Sequence, residues 1–131
     1  MKTATTLLFT IVILGALYSA TAQKTESPNA AKLTEEARDA IQLLVKEDFE
    51  TLNSRMTDTA KKELTPQKLK ELWGDVKSEA GPFQKVLNSE VKEGAKNSVV
   101  NLKCQFEKGT LFFRFGINSE HKLSGLDVDD K

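Results

Sequence analysis

Few residues of this chain have side chains that could carry out acid–base or nucleophilic chemistry. The 131 residues include one histidine, His121, one cysteine, Cys104, and one tyrosine, Tyr18. His121 follows an Asn-Ser-Glu segment typical of a hairpin turn, where a side chain is usually solvated. Cys104 lies in an alternating apolar segment without a neighbouring base, which favours a small core residue over a nucleophile. The sequence therefore gives no support for acid–base catalysis, and we assign no catalytic residue.

The sequence also lacks a pattern typical of a metal or cofactor site. One histidine, one cysteine and scattered carboxylates do not have the spacing of metal ligands, and there is no glycine-rich phosphate loop. Asp127, Asp129 and Asp130 lie near the C-terminus without the glycine turn of a calcium loop, which favours a frayed acidic tail. We therefore predict no cofactor and no metal.

Residues 1–22 differ in composition from the rest of the chain. Lys2 precedes an apolar run over residues 7–17, and a small-x-small site ends at Ala22, before Gln23. This order is typical of a secretory signal peptide cleaved after Ala22, and the apolar run is short for a membrane span. An uncleaved membrane anchor is the alternative. We predict a protein that is secreted or periplasmic, with no membrane attachment after cleavage.

The charge balance argues against two classes of partner. Removing residues 1–22 takes away Lys2 and no acid, so the net charge changes from 0 to −1. A near-neutral surface with mixed charges gives no electrostatic reason to bind nucleic acid or anionic lipid. A single cysteine also excludes an internal disulfide, so apolar packing alone must hold a domain of about 100 residues.

The first part of the mature chain has the apolar spacing of helices. Residues 23–32 are polar and contain a Ser-Pro pair, which favours a flexible leader before a single domain over residues 33–131. From Leu33 to Met56 apolar residues recur every three or four positions, which predicts one long helix capped by Thr34. Residues 57–64 fit either a short second helix or a loop.

A further helix is predicted between a clear start and a clear stop. Thr65 is a good N-cap followed by Pro66, and Gly81-Pro82 would end the helix. Its apolar face includes Trp73, the only tryptophan. Trp73 and Phe83 lie on either side of the corner, which favours packing of this helix onto the segment that follows.

After Pro82 the apolar spacing changes from a helical period to a period of two. Short turns separate four predicted strands, at residues 83–91, 100–106, 111–117 and 122–128. Turns of this length join antiparallel neighbours, so the strands are expected to form a meander. Helices followed by such a meander predict an α+β domain, with N-terminal helices packed on an antiparallel four-stranded sheet.

Several segments occur in an order that resembles a known family. They are LVKEDFETL at residues 44–52, LTPQKL at 64–69 with Trp73, AGPF at 80–83 and KLSGL at 122–126. Together they resemble domain of unknown function family 3887, which is placed in the nuclear-transport-factor-2-like superfamily with the ketosteroid isomerases and polyketide-cyclase relatives. The similarity covers about residues 35–128.

This resemblance implies a cone, in which long helices lie across a strongly curved sheet with an apolar pocket between them. It also implies that related domains precede α/β-hydrolase domains as accessory modules. Enzymes on this superfold use a carboxylate or histidine inside the cone as a general base. In this chain the strand residues predicted to face inward are apolar, apart from Cys104, so the resemblance adds no catalytic group.

Three functional hypotheses remain open from the sequence. The first is a non-catalytic exported binding or accessory module that holds an apolar small molecule or peptide in a pocket. The second is an interaction domain with a filled core that acts as a homodimer. The third is a small isomerase-, cyclase- or hydrolase-like enzyme, for which an inward carboxylate is missing. The predicted pocket wall consists of Trp73, Phe83, Cys104, Phe113 and Phe115.

The predicted dimer contact lies on the other face of the sheet. On a regular strand Phe112 points away from Phe113, so it is expected to lie beside Arg114 on the outer face. An aromatic side chain there suggests a partner or a dimer contact. The alternative is that a neighbouring element covers Phe112.

Overall fold

Four helices precede four strands along the chain, as the computed structural model shows for residues 27–130. The predicted signal peptide and its cleavage site lie outside these described residues. The helices and strands are α1 (Pro28–Val45), α2 (Phe49–Ser54), α3 (Asp58–Glu63), α4 (Pro66–Ala80), β1 (Phe83–Lys92), β2 (Asn97–Phe106), β3 (Gly109–Asn118) and β4 (Leu123–Asp129).

Helix α1 begins earlier than the sequence predicted. The Ser27 side chain accepts a hydrogen bond from the amide of Ala30 at 3.0 Å, and Pro28 occupies the first turn, where its missing N–H has no cost. The prediction of a flexible leader up to residue 32 is therefore wrong for residues 28–32. Thr34, predicted as the cap, is instead buried inside the helix.

The predicted single helix from Leu33 to Met56 is interrupted at residues 46–48. Glu47 has a φ of 60°, a left-handed conformation that ends α1. Asp48 then starts α2, because its side chain accepts a hydrogen bond from the amide of Thr51. The change of direction places Phe49 and Leu52 in the core.

The two later helices begin at threonine caps. Residues 57–64 contain α3, so the helical alternative was the right one, and Thr57 caps it. Thr65 caps α4 as predicted. Gly81 ends α4 with a φ of 82°, and its amide donates to the carbonyl of Lys77.

The strands form one antiparallel sheet in the order β1-β2-β3-β4, which confirms the predicted α+β fold and meander. A two-residue turn joins β2 to β3, since Phe106 pairs with Gly109. Irregular pairings interrupt β1 near Phe83 and Val86, and the β3–β4 ladder at Gly116. Such bulges bend strands, in agreement with the predicted curvature.

The core lies between the helices and one face of the sheet. Alternate residues of β2 and β3 are buried there with the apolar faces of all four helices. A short parallel bridge between Met56 and Leu123 joins the end of α2 to the start of β4. Among residues 27–130 no helix combines the length and apolar character needed to cross a membrane.

Candidate functional site

The residues predicted to line an apolar pocket form a packed aromatic cluster. The ring of Trp73 lies 6.2 Å from that of Phe113, which stacks on Phe115 at 6.5 Å. Phe106 joins them, 6.0 Å from Trp73 and 5.6 Å from Phe83. Phe83 is half-buried at the edge, and the other four rings are buried. The structure thus brings the predicted aromatic residues together, but in contact with one another. The clefts described below are lined by other residues.

Cys104 belongs to the same core. Its side chain is fully buried, and its Sγ lies 3.8 Å from the carbonyl oxygen of Leu102. Burial raises the pKa of the Cys104 thiol to about 12, because the apolar surroundings disfavour the thiolate. The group is therefore protonated at neutral pH and unsuited to nucleophilic attack.

Phe112 and Arg114 lie on the sheet face opposite to the core. The Phe112 ring is half-buried, with the Nζ of Lys103 6.0 Å from its centroid. Arg114 Nη2 donates to Asp127 Oδ2 at 2.7 Å and to Asp129 Oδ2 at 3.2 Å, and these bonds raise the pKa of Arg114. Asp127 and Asp129 are therefore ordered residues of β4, and the predicted frayed tail is wrong for them.

A shallow cleft of about 360 Å³ opens on this outer face. Asn101 lines it, and the Oδ1 atom of this side chain is buried and has no hydrogen-bond partner among the residues that the structure describes. Val99 is 39% exposed at the same cleft. The other lining residues are Glu90, Lys92 and Arg114.

His121 makes a contact that the sequence did not predict. Its Nδ1 lies 2.9 Å from Glu36 Oε1, although 85 positions separate the two residues. The side chains are 31% and 27% exposed, so His121, which was predicted to be solvated, is only partly exposed and is paired with α1. The turn is as predicted, with His121 at a φ of 64° and its amide bonded to the Asn118 carbonyl.

Two clefts meet at His121. We call the larger one, about 340 Å³ in volume, the His121 cleft. Its remaining wall residues are Glu36, Asp39, Ala40, Ser54, Arg55, Ile117, Lys122 and Leu123. The smaller, of about 160 Å³, is lined on the other side by residues that include Asn29, Ser98 and Asn118. Within residues 27–130, no three metal-ligating side chains cluster as a metal site.

The model of a known protein family matches residues 37–126. That family is DUF3887, described as a protein of unknown function. The chain belongs to the DUF3887 family. This confirms the predicted family, while its placement in the nuclear-transport-factor-2-like superfamily stays a prediction.

One characterised relative is similar over part of its length. Esterase EstD of Thermotoga maritima is 25% identical over 86 residues, which is 66% of this chain and 21% of the esterase. The DUF3887 chain therefore matches about a fifth of that enzyme. No solved structure matches the chain.

Proposed function

We propose that this DUF3887 domain is an exported, non-catalytic interaction module that forms a homodimer through the outer face of its sheet. The observation that carries the proposal is the contrast between the two faces. The inner face is filled by its own aromatic side chains, whereas Leu87 and Val99 near or on the outer face are 42% and 39% exposed. The signal-like segment over residues 1–22 supports export.

The filled inner face favours an interaction domain over a pocket for an apolar ligand. Trp73, Phe113 and Phe115 contact one another at the ring distances of a packed core. A ligand among them would have to displace side chains that are already buried, which costs packing energy. The similarity to one fifth of an esterase agrees with an accessory role for this fold.

The outer face has the composition of a contact surface. Phe112 and Val99 supply apolar area at its centre, and Lys103 and Arg114 surround them with donors. Aromatic residues and arginine are enriched in protein interfaces.

The charge distribution favours a second copy of the chain as the partner. On β1 the outward residues Lys85, Glu90 and Lys92 sum to a net positive charge, while β4 presents Asp127 and Asp129. A two-fold axis parallel to the strands places β1 of one copy over β4 of the other, so opposite charges meet. A two-fold axis across the strands would stack β4 on β4 and is disfavoured.

The size of the face predicts a weak dimer. Strand spacing and rise give a face of roughly 500 Å² for four strands of this length. Stable complexes bury about 800 Å² on each partner, so a smaller face should dissociate on dilution. The dimer is expected to weaken further at high salt, because salt screens the facing charges.

Analytical ultracentrifugation of the chain from Gln23, over a range of concentrations, tests the proposal. We expect a concentration-dependent dimer whose dissociation constant rises about tenfold or more in Phe112→Ser, because the central aromatic contact is lost. Val45→Ser is the matched control, since Val45 is 36% exposed at the end of α1, away from the sheet face. A monomer at all concentrations, or equal effects of the two substitutions, would contradict the proposal.

A further inference from the structure

We propose that the His121 cleft binds a small organic carboxylate with a short apolar body. The proposal rests on two cations that line the cleft and form no ion pair within residues 27–130, and on the buried apolar residues beside them. The cleft shares no residue with the outer face of the sheet. Success or failure of this proposal is therefore independent of the proposed homodimer.

The bridge between α2 and β4 places the two cations side by side. Met56 pairs with Leu123 in parallel, and the Leu123 amide donates to the carbonyl of Arg55 at 2.9 Å. Met56 and Leu123 are buried, whereas the residues that precede them, Arg55 and Lys122, are exposed. Both side chains line the cleft.

Among residues 27–130, no counter-charge is in contact with these cations. The ion pairs between residues 27 and 130 join other side chains, Lys77 with Glu47 and Arg114 with two aspartates, and Glu36 contacts the His121 ring. With no ion pair to another described residue, Arg55 and Lys122 can each pair with a bound anion at the cleft. Asp39 also lines the cleft, but it makes no ion pair with either cation.

The pairing of His121 with Glu36 leaves one ring nitrogen for a ligand. Because Nδ1 contacts the carboxylate, the neutral ring carries its proton on Nδ1, and Nε2 is the acceptor. No hydrogen-bond partner of Nε2 is found between residues 27 and 130. The turn holds the ring in place, since Asn118 Oδ1 accepts from the amides of Glu120 and Lys122. Nε2 can thus accept a hydrogen bond from a donor group of a ligand.

The floor and volume of the cleft define the rest of the ligand. Ala40, Ile117 and Leu123 are buried apolar residues that line it. Its volume of about 340 Å³ is at the small end for sites that hold organic molecules. Because buried apolar residues line the cleft beside the two cations, a short aliphatic carboxylate matches this lining better than a bare inorganic anion does.

Hexanoate, a short aliphatic carboxylate, is a suitable probe. Its binding can be followed by NMR, because the chain has one histidine and the ring of that residue gives an unambiguous signal. The chain from Gln23, which retains every described residue, is titrated with hexanoate and with hexylamine. We expect saturable shifts of the His121 ring signals with hexanoate, at a dissociation constant of about 1 mM. Absence of saturation up to about 10 mM, or tighter binding of hexylamine, would overturn the proposal.

Two variants and a matched control locate the binding. Arg55→Gln and Lys122→Gln should each weaken hexanoate binding about tenfold, because each removes one of the paired cations. Lys68→Gln removes an exposed cation from α4, which does not line the cleft, and should leave binding unchanged. Both cleft cations are exposed, so the variants should remain folded, which the amide spectrum checks. Equal weakening by all three substitutions would overturn the site.

Discussion

Cys104 shows at the residue scale how burial decides chemistry. The alternation of residues 100–106 predicted that its side chain faces the core, and the structure places the thiol there without any exposed surface. Its pKa of about 12 follows from that burial. The period of two was sufficient here, because one strand position fixes which face a side chain occupies.

The pKa of Cys104 predicts a loss of stability in alkali. The Cys104 thiol has a reference pKa of 9.0 and a pKa of about 12 in the folded chain. Its contribution to the free energy of unfolding is therefore fully present below pH 9.0. Between these values the unfolded chain ionises and the folded chain does not, so the free energy of unfolding falls by up to about 1.4 kcal/mol per pH unit. Urea unfolding of the wild type and of Cys104→Ala, at several pH values from 8 to 10.5, measures this fall in the free energy of unfolding. A parallel pH dependence in both proteins would contradict the prediction.

His121 shows what the sequence could not supply at the same scale. Its turn was predictable from Asn118 and its neighbours, but its partner Glu36 lies on α1, 85 positions away. No local spacing relates a helix position to a turn between strands. The same holds for Arg55 and Lys122, which become neighbours only through the Met56–Leu123 bridge.

At the scale of elements, helix ends were harder to predict than helix existence. The Ser-Pro pair at residues 27 and 28 is typical both of a loop and of a capped helix start, and only the structure distinguishes the two. The end of α1 carries no glycine or proline, so the left-handed Glu47 left no signal. By contrast, Thr65-Pro66 and Gly81-Pro82 marked α4 correctly.

Removal of the Ser27 cap should destabilise the start of α1. Ser27→Ala loses the hydrogen bond to the Ala30 amide and the contact with Glu93 Oε2, so we expect a loss of about 1 kcal/mol in unfolding free energy. Faster hydrogen exchange of the Ala30 and Ala31 amides should accompany it. Ser78→Ala, an exposed site inside α4, is the control and should be neutral or slightly stabilising. Unchanged exchange in Ser27→Ala would argue against the cap.

At the scale of the molecule, the helices bury one face of the sheet and leave the other exposed. The sequence predicted this asymmetry for β3, where Phe112 and Phe113 point in opposite directions. It could not determine whether the inner space was open or filled, because that depends on side-chain volumes contributed by separate elements. Trp73 and Phe106 meet there from α4 and β2.

Two adjacent phenylalanines measure this asymmetry directly. Phe113→Ala should lower the free energy of unfolding by about 3 to 5 kcal/mol, because it leaves a cavity in the aromatic cluster. Phe112→Ala removes the same atoms from the outer face and should cost about 1 kcal/mol or less in the monomer. Denaturant unfolding at low protein concentration gives both values. Similar losses in the two variants would show that the outer face is also part of the core.

The Met56–Leu123 bridge has a consequence for how the chain folds. Each strand of the meander pairs with its neighbour in sequence, so the hairpins need only short loops to close. The bridge instead closes a loop of roughly seventy residues and has a larger entropic cost, which favours its formation late. Because Arg55 and Lys122 become neighbours only at that step, the His121 cleft is absent from a chain that has formed its sheet alone. A molecule held there would bind the finished domain and slow its opening.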